Sequence, residues 1–182
     1  MPPERWSWLG EPLAIDFANT VRRRGSDYTE LLASGADLRA WAEHEASRVP
    51  DPTEHAADVR LDEVRELRDA IFALLLAAAR REPAPIGIEK RVNAALSAVP
   101  LVPQLRDGAV SLVAPAETDP LDELLARTAN SAVELLASPA LAYCDAPSCG
   151  QFFMRNRRDQ RWCGPACGTR TRVARHAMRA RP

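Results

Sequence analysis

The sequence has 182 residues, which is enough for one hydrophobic core of ordinary size together with a small additional module. Its longest apolar run, residues 70–79, is too short to span a bilayer and has charged residues on both sides. The N-terminus lacks the basic start and the apolar core of a secretory signal. These features argue against a membrane protein and favour a soluble protein of the cytoplasm.

Charge is distributed unevenly along the chain, although the formal net charge is only −1. Residues 144–182 contain nine arginines and two aspartates, a local charge of +7, so residues 1–143 carry −8. A basic module on an acidic body favours a polyanionic partner for the module. The alternative is a solvated basic tail that partly neutralises its own protein.

The opening segment, which includes Leu-Ala-Ile-Asp-Phe-Ala-Asn-Thr-Val at residues 13–21, mixes apolar and small residues. One turn of helix would place Asp16 and Asn19 on the same face. A ligand pocket could use both side chains, but such residues more often cap a helix or bond a neighbouring loop, and we favour this structural role. The arginines at 22–24 precede Gly25 and predict an exposed basic loop.

Four helices are predicted in the body of the chain. The first covers about residues 34–47 and should bury Trp41. The clearest covers residues 61–80, where apolar residues recur at intervals of three and four. A weaker pattern predicts a helix from residue 88 to just before Pro100, and the last begins at residues 119–120 and stops before Pro139.

One β-hairpin is predicted between the last two of these helices. Residues 101–105 and 109–113 are apolar runs on either side of Asp107-Gly108, and both turn residues tolerate positive φ. Pro103 would make its strand an edge strand. The body is therefore predicted to be a mostly helical α+β domain with at least one hairpin.

No nucleophile-base constellation or glycine-rich phosphate loop is present in the sequence. His44 and His55 lie without a second histidine or a cysteine at ligand spacing, so we interpret them as surface or capping residues. We expect no catalytic residues.

All four cysteines fall near the C-terminus in the pattern C-x4-C-x13-C-x3-C. Two close pairs brought together by a turn give four thiolates converging on one point, as a tetrahedral Zn²⁺ site requires. Two disulfides are the alternative, but no signal sequence indicates an oxidising compartment. We therefore predict one structural zinc ion, since four cysteines leave no coordination position for water. The predicted ligands are Cys144, Cys149, Cys163 and Cys167.

The residues around these cysteines predict a treble-clef-like zinc finger. Residues 151–154 and 161–163 are interpreted as the two arms of a hairpin across an arginine-rich tip at 156–160. Pro165 suits the first turn of a helix, which would place Cys167 in that turn. The finger would thus combine a cysteine loop, a hairpin and a helix that donates the last thiolate.

Helical-wheel geometry divides the residues after Cys167 into two faces. The face predicted to dock on the zinc core carries Val173, Ala174, Ala177 and Met178. Arg170 also lies on the inward side, where it should brace the finger loops. The outward arginines of the helix and those of the tip are the predicted nucleic-acid contacts: Arg155, Arg157, Arg158, Arg172, Arg175 and Arg179.

The cysteine pairs, the basic tip, Arg161-Trp162-Cys163 and Cys167-Gly168-Thr169-Arg170 together resemble the finger of the CGNR zinc-finger family. The family is named after Cys-Gly-Asn-Arg, and this chain has Thr169 in place of the Asn. Residues 13–21 resemble the opening motif of the ABATE domain that accompanies this finger. The resemblance implies a transcriptional regulator with an ABATE-like domain at residues 1–140 and a finger at residues 141–182.

Three functions are consistent with the sequence. The first is a zinc-dependent regulator whose finger contacts DNA and whose N-terminal domain senses a small-molecule ligand or mediates assembly, for example as a homodimer. The second is a protein-interaction adaptor whose finger binds an acidic partner. The third and weakest is an enzyme with Asp16, Asn19 and Thr20 in a pocket.

Overall fold

The computed structural model describes residues 10–24 and 27–179. This part of the chain is mostly helical, and its strands form three separate antiparallel pairs. The predicted α+β class is confirmed. In chain order the elements are α1 (Leu13–Ala18), β1 (Val21–Arg24), β2 (Asp27–Glu30), α2 (Gly35–His44), α3 (Glu54–Val59), α4 (Leu61–Arg80), α5 (Ile88–Ala98), β3 (Val102–Arg106), β4 (Ala109–Val113), α6 (Pro120–Leu135), β5 (Leu141–Tyr143), β6 (Phe152–Met154) and α7 (Pro165–Arg179).

The core forms around α4, which has the bounds that its periodicity predicts. Its buried face packs against α1, α5 and α6, so the apolar stripe of the helix is covered on several sides. The short helix α1 is buried along its whole length. Helix α6 begins at Pro120, where the side chain of Asp119 accepts hydrogen bonds from the backbone of Leu121 and Asp122.

Helix α2 begins with a capping box. The Ser34 hydroxyl accepts a hydrogen bond from the Asp37 backbone, and the Asp37 carboxylate accepts one from the Ser34 backbone. Trp41 is fully buried and packs on the ring of Phe17 at a centroid distance of 5.1 Å, as expected of a core residue. The helix ends at His44, and turns continue to about residue 48.

The predicted hairpin is confirmed as β3 paired with β4. Asp107 and Gly108 form the turn and both have positive φ, 51° and 78°. Pro103 lies in a two-stranded sheet, in which each strand has one neighbour. The N–H group that proline lacks is therefore not needed for hydrogen bonding to a second neighbouring strand.

The arginine run at 22–24 is not a loop, which corrects the prediction. Residues 21–24 form β1, and Arg22 pairs with Thr29 of β2 in an antiparallel register. Backbone pairing does not require apolar side chains, so a run of arginines can form a strand. Gly25 lies outside the described residues.

The predicted hairpin of the finger is wrong. Strand β6 pairs with β5, with Phe153 opposite Ala142, and residues 161–163 lie in an irregular segment that pairs with neither strand. The loop between Cys144 and Cys149 is short enough to act as the turn, closed by a hydrogen bond from the Cys144 N–H to the Gln151 carbonyl at 2.8 Å. The treble-clef detail is therefore not confirmed.

No helix in the described part of the chain combines the length and the apolar character needed to cross a membrane.

Candidate metal centre and basic surface

The four cysteines converge on one point. Their sulfur atoms all lie within 4.8 Å of one another, and none forms a disulfide. Strand β5 leads directly into Cys144, the turn before β6 carries Cys149, the loop after the tip carries Cys163, and the first turn of α7 carries Cys167. The predicted ligand set is thus assembled from four different parts of the finger.

The sulfur spacing fits a tetrahedral zinc site. The Cys149 and Cys163 sulfurs are 3.6 Å apart, and those of Cys163 and Cys167 are 3.5 Å apart. Four sulfurs at a Zn–S distance of about 2.3 Å would be about 3.8 Å from one another, whereas a disulfide bond is about 2.05 Å long. The observed distances match the metal geometry, so these thiolates would hold one structural Zn²⁺ ion.

The electrostatics of the cluster also call for a cation. Hydrogen bonds from the neighbouring thiols lower the pKa of Cys144 to about 2, whereas the hydrogen bond with Cys144 raises the pKa of Cys149 to about 12 and also raises the pKa of Cys163. Thiols packed this closely therefore share negative charge rather than ionising together. A divalent cation removes that restriction, because it stabilises every thiolate that it contacts.

Residues of the finger support the cluster from outside. The Arg170 guanidinium donates to the Cys167 sulfur at 2.8 Å and to the Ser148 carbonyl at 3.4 Å, which confirms the predicted bracing role. Gly168 lies against Trp162, and a Cβ atom there would approach the indole ring to 3.3 Å. Thr169, which replaces the Asn of the family motif, accepts a hydrogen bond from the exposed Arg172 at 3.2 Å.

Strand β6 of the finger is attached to the body through α1. The Asn19 side chain makes two hydrogen bonds with the backbone of Phe152, and the Glu11 carboxylate accepts one from the Met154 backbone at 3.0 Å. The Phe152 ring also packs edge-on against Phe72 of α4, at a centroid distance of 4.9 Å. The structural role predicted for Asn19 is confirmed.

Asp16 and Thr20 also bond within the protein. The Thr20 hydroxyl donates to the Phe17 carbonyl at 2.7 Å, and Asp16 forms an ion pair with Arg48 at 2.8 Å. Burial raises the pKa of Asp16 to about 6, against the opposing effect of Arg48. The three residues of the enzyme hypothesis therefore hold the first helix in place.

The six arginines predicted to contact nucleic acid are all exposed. Three lie on the tip and three lie on α7. From here on the tip includes the arginine on each side of residues 156–160 and thus covers residues 155–161. A cleft of about 710 Å³ separates the tip from the start of α7 and is lined by Arg157, Arg161 and Arg172 among other residues. We call this the tip–helix cleft. It brings together arginines of both groups, and Thr169 also lines it.

A second cleft, of about 460 Å³, lies between the tip and the body, and we call it the tip–body cleft. Three of its arginines were predicted from the sequence, and the fourth is Arg81 at the end of α4. The sequence carried no signal for Arg81, because its proximity to the tip depends on how α4 packs against β5.

The inward face predicted for α7 is not covered. Val173 and Met178 are 64% and 70% exposed, and within α7 only Cys167 and Thr171 are buried. Helical spacing predicts which residues share a face of α7, but it does not predict how much of that face the rest of the finger covers. The helix extends past the finger after about two turns, which leaves an apolar strip beside the basic one.

The sequence matches two family models. The ABATE model, described as "Putative stress-induced transcription regulator", matches residues 11–139. The CGNR zinc finger model matches residues 141–180. A comparison with curated proteins found no match.

Proposed function

Because the chain belongs to the ABATE family and its C-terminal segment is a CGNR zinc finger, we propose that it is a zinc-dependent DNA-binding transcriptional regulator. In this proposal the finger contacts DNA, and zinc holds the tip and α7 in the arrangement that the contact requires. Neither family is enzymatic, and we propose no catalytic role. The reduced thiols that such a zinc site requires support a cytoplasmic location.

The observation that carries the proposal is the placement of the arginines. The tip and α7 meet at the tip–helix cleft, which is lined by Arg157, Arg161 and Arg172 and by one acidic residue, Asp159, so arginines of both elements lie close together. Among the described residues, none of the six predicted contact arginines has a carboxylate at ion-pair distance. Guanidinium groups without a carboxylate partner are suited to phosphate oxygens, which they can bind in bidentate fashion.

We propose that the N-terminal domain regulates this contact by sensing a ligand or by mediating assembly. Support comes from the attachment of β6 to the body by Asn19, Glu11 and Phe72. A change in the packing of α1 or α4 would move the strand that leads into the tip. The body and the finger would then respond to one signal together.

The test is binding of the zinc-loaded protein to a random-sequence DNA duplex, measured by fluorescence anisotropy at several salt concentrations. Affinity should fall as salt rises, because each phosphate contact releases counterions. Absence of binding at low salt, or binding that does not depend on salt, would contradict the proposal.

The second candidate is a protein-interaction adaptor, and the exposed apolar strip of α7 favours it. Changing Val173 and Met178 to Ser separates the two functions, because neither substitution removes a charge. DNA affinity should remain unchanged in this variant if the arginines make the contact. An adaptor that docks through the strip would instead lose its acidic protein partner.

A further inference from the structure

We propose that the N-terminal domain itself supplies part of the DNA interface, through Arg81 in the tip–body cleft. This inference rests on the proposed function and extends it from the finger to the body. The ligand would be the phosphodiester backbone, bound by Arg81 together with Arg155, Arg157 and Arg158 of the tip.

The geometry of the cleft brings these four arginines together. All four line a space of about 460 Å³, along with Pro139, Ala140 and Asn156. The Arg155 N–H donates to the Ala140 carbonyl at 2.8 Å, which holds the start of the tip against the segment before β5. The floor of the cleft is therefore a hydrogen-bonded junction of the body and the finger.

The backbone at Arg81 is also held in place. Arg81 ends α4 in the left-handed conformation, with a φ of 58°, and its N–H donates to the Ala78 carbonyl at 3.1 Å. The adjacent Arg80 has a different role, because it pairs with Asp145 at 3.5 Å and lies over the Tyr143 ring. One arginine thus anchors the finger to the end of α4, and the next one lines the cleft.

The charge of the cleft indicates the class of ligand. Among the described residues, no acidic residue lines it and none of its four arginines has an ion-pair partner. Four guanidinium groups around one space repel one another, and an anion that contacts several of them relieves this repulsion. Arginine presents paired N–H donors that match the oxygens of a phosphate group.

Continuity with the finger favours DNA rather than a free anion. Asn156 and Arg157 line both the tip–body cleft and the tip–helix cleft, so the two clefts meet at the tip. A backbone that contacts Arg172 in one cleft can extend across the tip to Arg81 in the other. Free phosphate would occupy one cleft without requiring the second.

The experiment compares Arg81→Asn with Arg81→Lys in the full-length, zinc-loaded protein. Asparagine tolerates the left-handed conformation, so R81N removes the charge with little backbone strain, whereas R81K retains the charge. Arg106→Asn is the control, since Arg106 is exposed on β3 and lines neither cleft. Zinc content and circular dichroism of each variant establish that it is folded.

The measured quantity is the slope of log affinity against log salt for a random-sequence duplex. R81N should flatten the slope by about one unit, because one phosphate contact is lost. R81K should restore most of the slope, and R106N should leave it unchanged. A slope for R81N equal to that of the wild type would overturn the inference.

Two further arms identify the source of a failure. If R81N keeps the wild-type slope while the α7 variant described in the Discussion flattens it, DNA binding stands and only the role of Arg81 is wrong. If neither variant changes the slope, the proposed function fails as well. Calorimetric titration with inorganic phosphate is the second arm. If R81N abolishes phosphate binding without any change in DNA binding, the ligand of the cleft is a free anion and the inference is overturned.

Discussion

Asn19, at the end of α1, and Phe152, in β6, are joined by a pair of hydrogen bonds. The Asn19 amide donates to the Phe152 carbonyl at 3.0 Å, and the Phe152 N–H donates to the Asn19 amide oxygen at 2.8 Å. A side-chain amide has the same donor and acceptor as a peptide group, so Asn19 acts toward β6 as a neighbouring strand would. Both residues are buried, so water could not replace either bond.

Removing this amide should destabilise the whole protein. Asn19→Ala would leave the buried N–H and carbonyl of Phe152 without partners, at roughly 2–4 kcal/mol of unfolding free energy. Urea denaturation of the zinc-loaded protein measures the loss. Asn130→Ala is the matched control, because the Asn130 side chain donates to Glu134 at the surface and its removal should cost a few tenths of a kcal/mol. An Asn19→Ala variant as stable as this control would mean that the attachment contributes little.

Zinc should be present at one ion per chain. Cys149→Ser or Cys163→Ser should abolish tight zinc binding and unfold the loops of the finger. So small a module folds only when the metal binds, so the free energy of metal binding is also its free energy of folding. Elemental analysis measures the metal, and far-ultraviolet circular dichroism follows the loss of α7. Wild-type protein after chelation and zinc re-addition is the control. Protein that contains no zinc and still holds two intact disulfides when kept in a reducing buffer would contradict the site.

The division of the chain at residue 140 stays a prediction, and Phe152 provides its test. The Phe152 side chain is fully buried in the same core cluster as α1, α4 and α6. Phe152→Ala should therefore cost about 3–5 kcal/mol of global stability. A chain truncated after residue 140 should remain helical but lose at least as much. If the truncated body unfolds completely, the two segments are one folding unit and the division at residue 140 is wrong.

Asp16 should make stability depend on pH. Its pKa is raised to about 6, chiefly by burial and further by Glu45, against an unfolded value of about 3.9. The folded state therefore binds this proton more tightly, so the protonated form adds stability that is present below about pH 4 and lost as the pH rises through about 6. Arg48 offsets only part of this effect.

Asp16→Asn keeps the shape of the protonated side chain at every pH. The unfolding free energy of the variant, relative to that of the wild type, should therefore increase as the pH is raised from 4.5 to 7.5. The increase should be up to roughly 3 kcal/mol. Denaturant titrations of both proteins across this range measure the difference, and effects of pH on the shared zinc site cancel in the comparison. A difference that is constant with pH would show that burial does not raise the pKa of Asp16.

The parts of the structure that follow from local sequence were predictable. Helix α4 has the predicted bounds because its apolar residues repeat over twenty positions. The turn at Asp107 and Gly108 needs only residues that tolerate positive φ. The four cysteines can be recognised as metal ligands from their spacing, since no other residues in the sequence supply soft ligands in close pairs.

The parts that depend on packing were not predictable. Strand β5 is only three residues long, and its pairing with β6 is set by the turn that the first two cysteines enclose. Val173 and Met178 have the spacing of a docking face, but no surface of the finger reaches them. Arg81 lines the tip–body cleft only because α4 ends beside the finger, and the sequence of α4 does not encode that distance.

The central claim is that the arginines of α7 contact DNA phosphates. Arg172, Arg175 and Arg179 are exposed on one helix, and changing all three to Ala should weaken binding to a random-sequence duplex. Each contact contributes about −0.9 to the slope of log affinity against log salt, so the slope should flatten by up to roughly three units. Lys90→Ala with Arg106→Ala removes exposed charge from the body and should change the slope little. If the triple variant keeps wild-type affinity and an unchanged slope, the α7 arginines form only a solvated surface and the regulator proposal gives way to the adaptor.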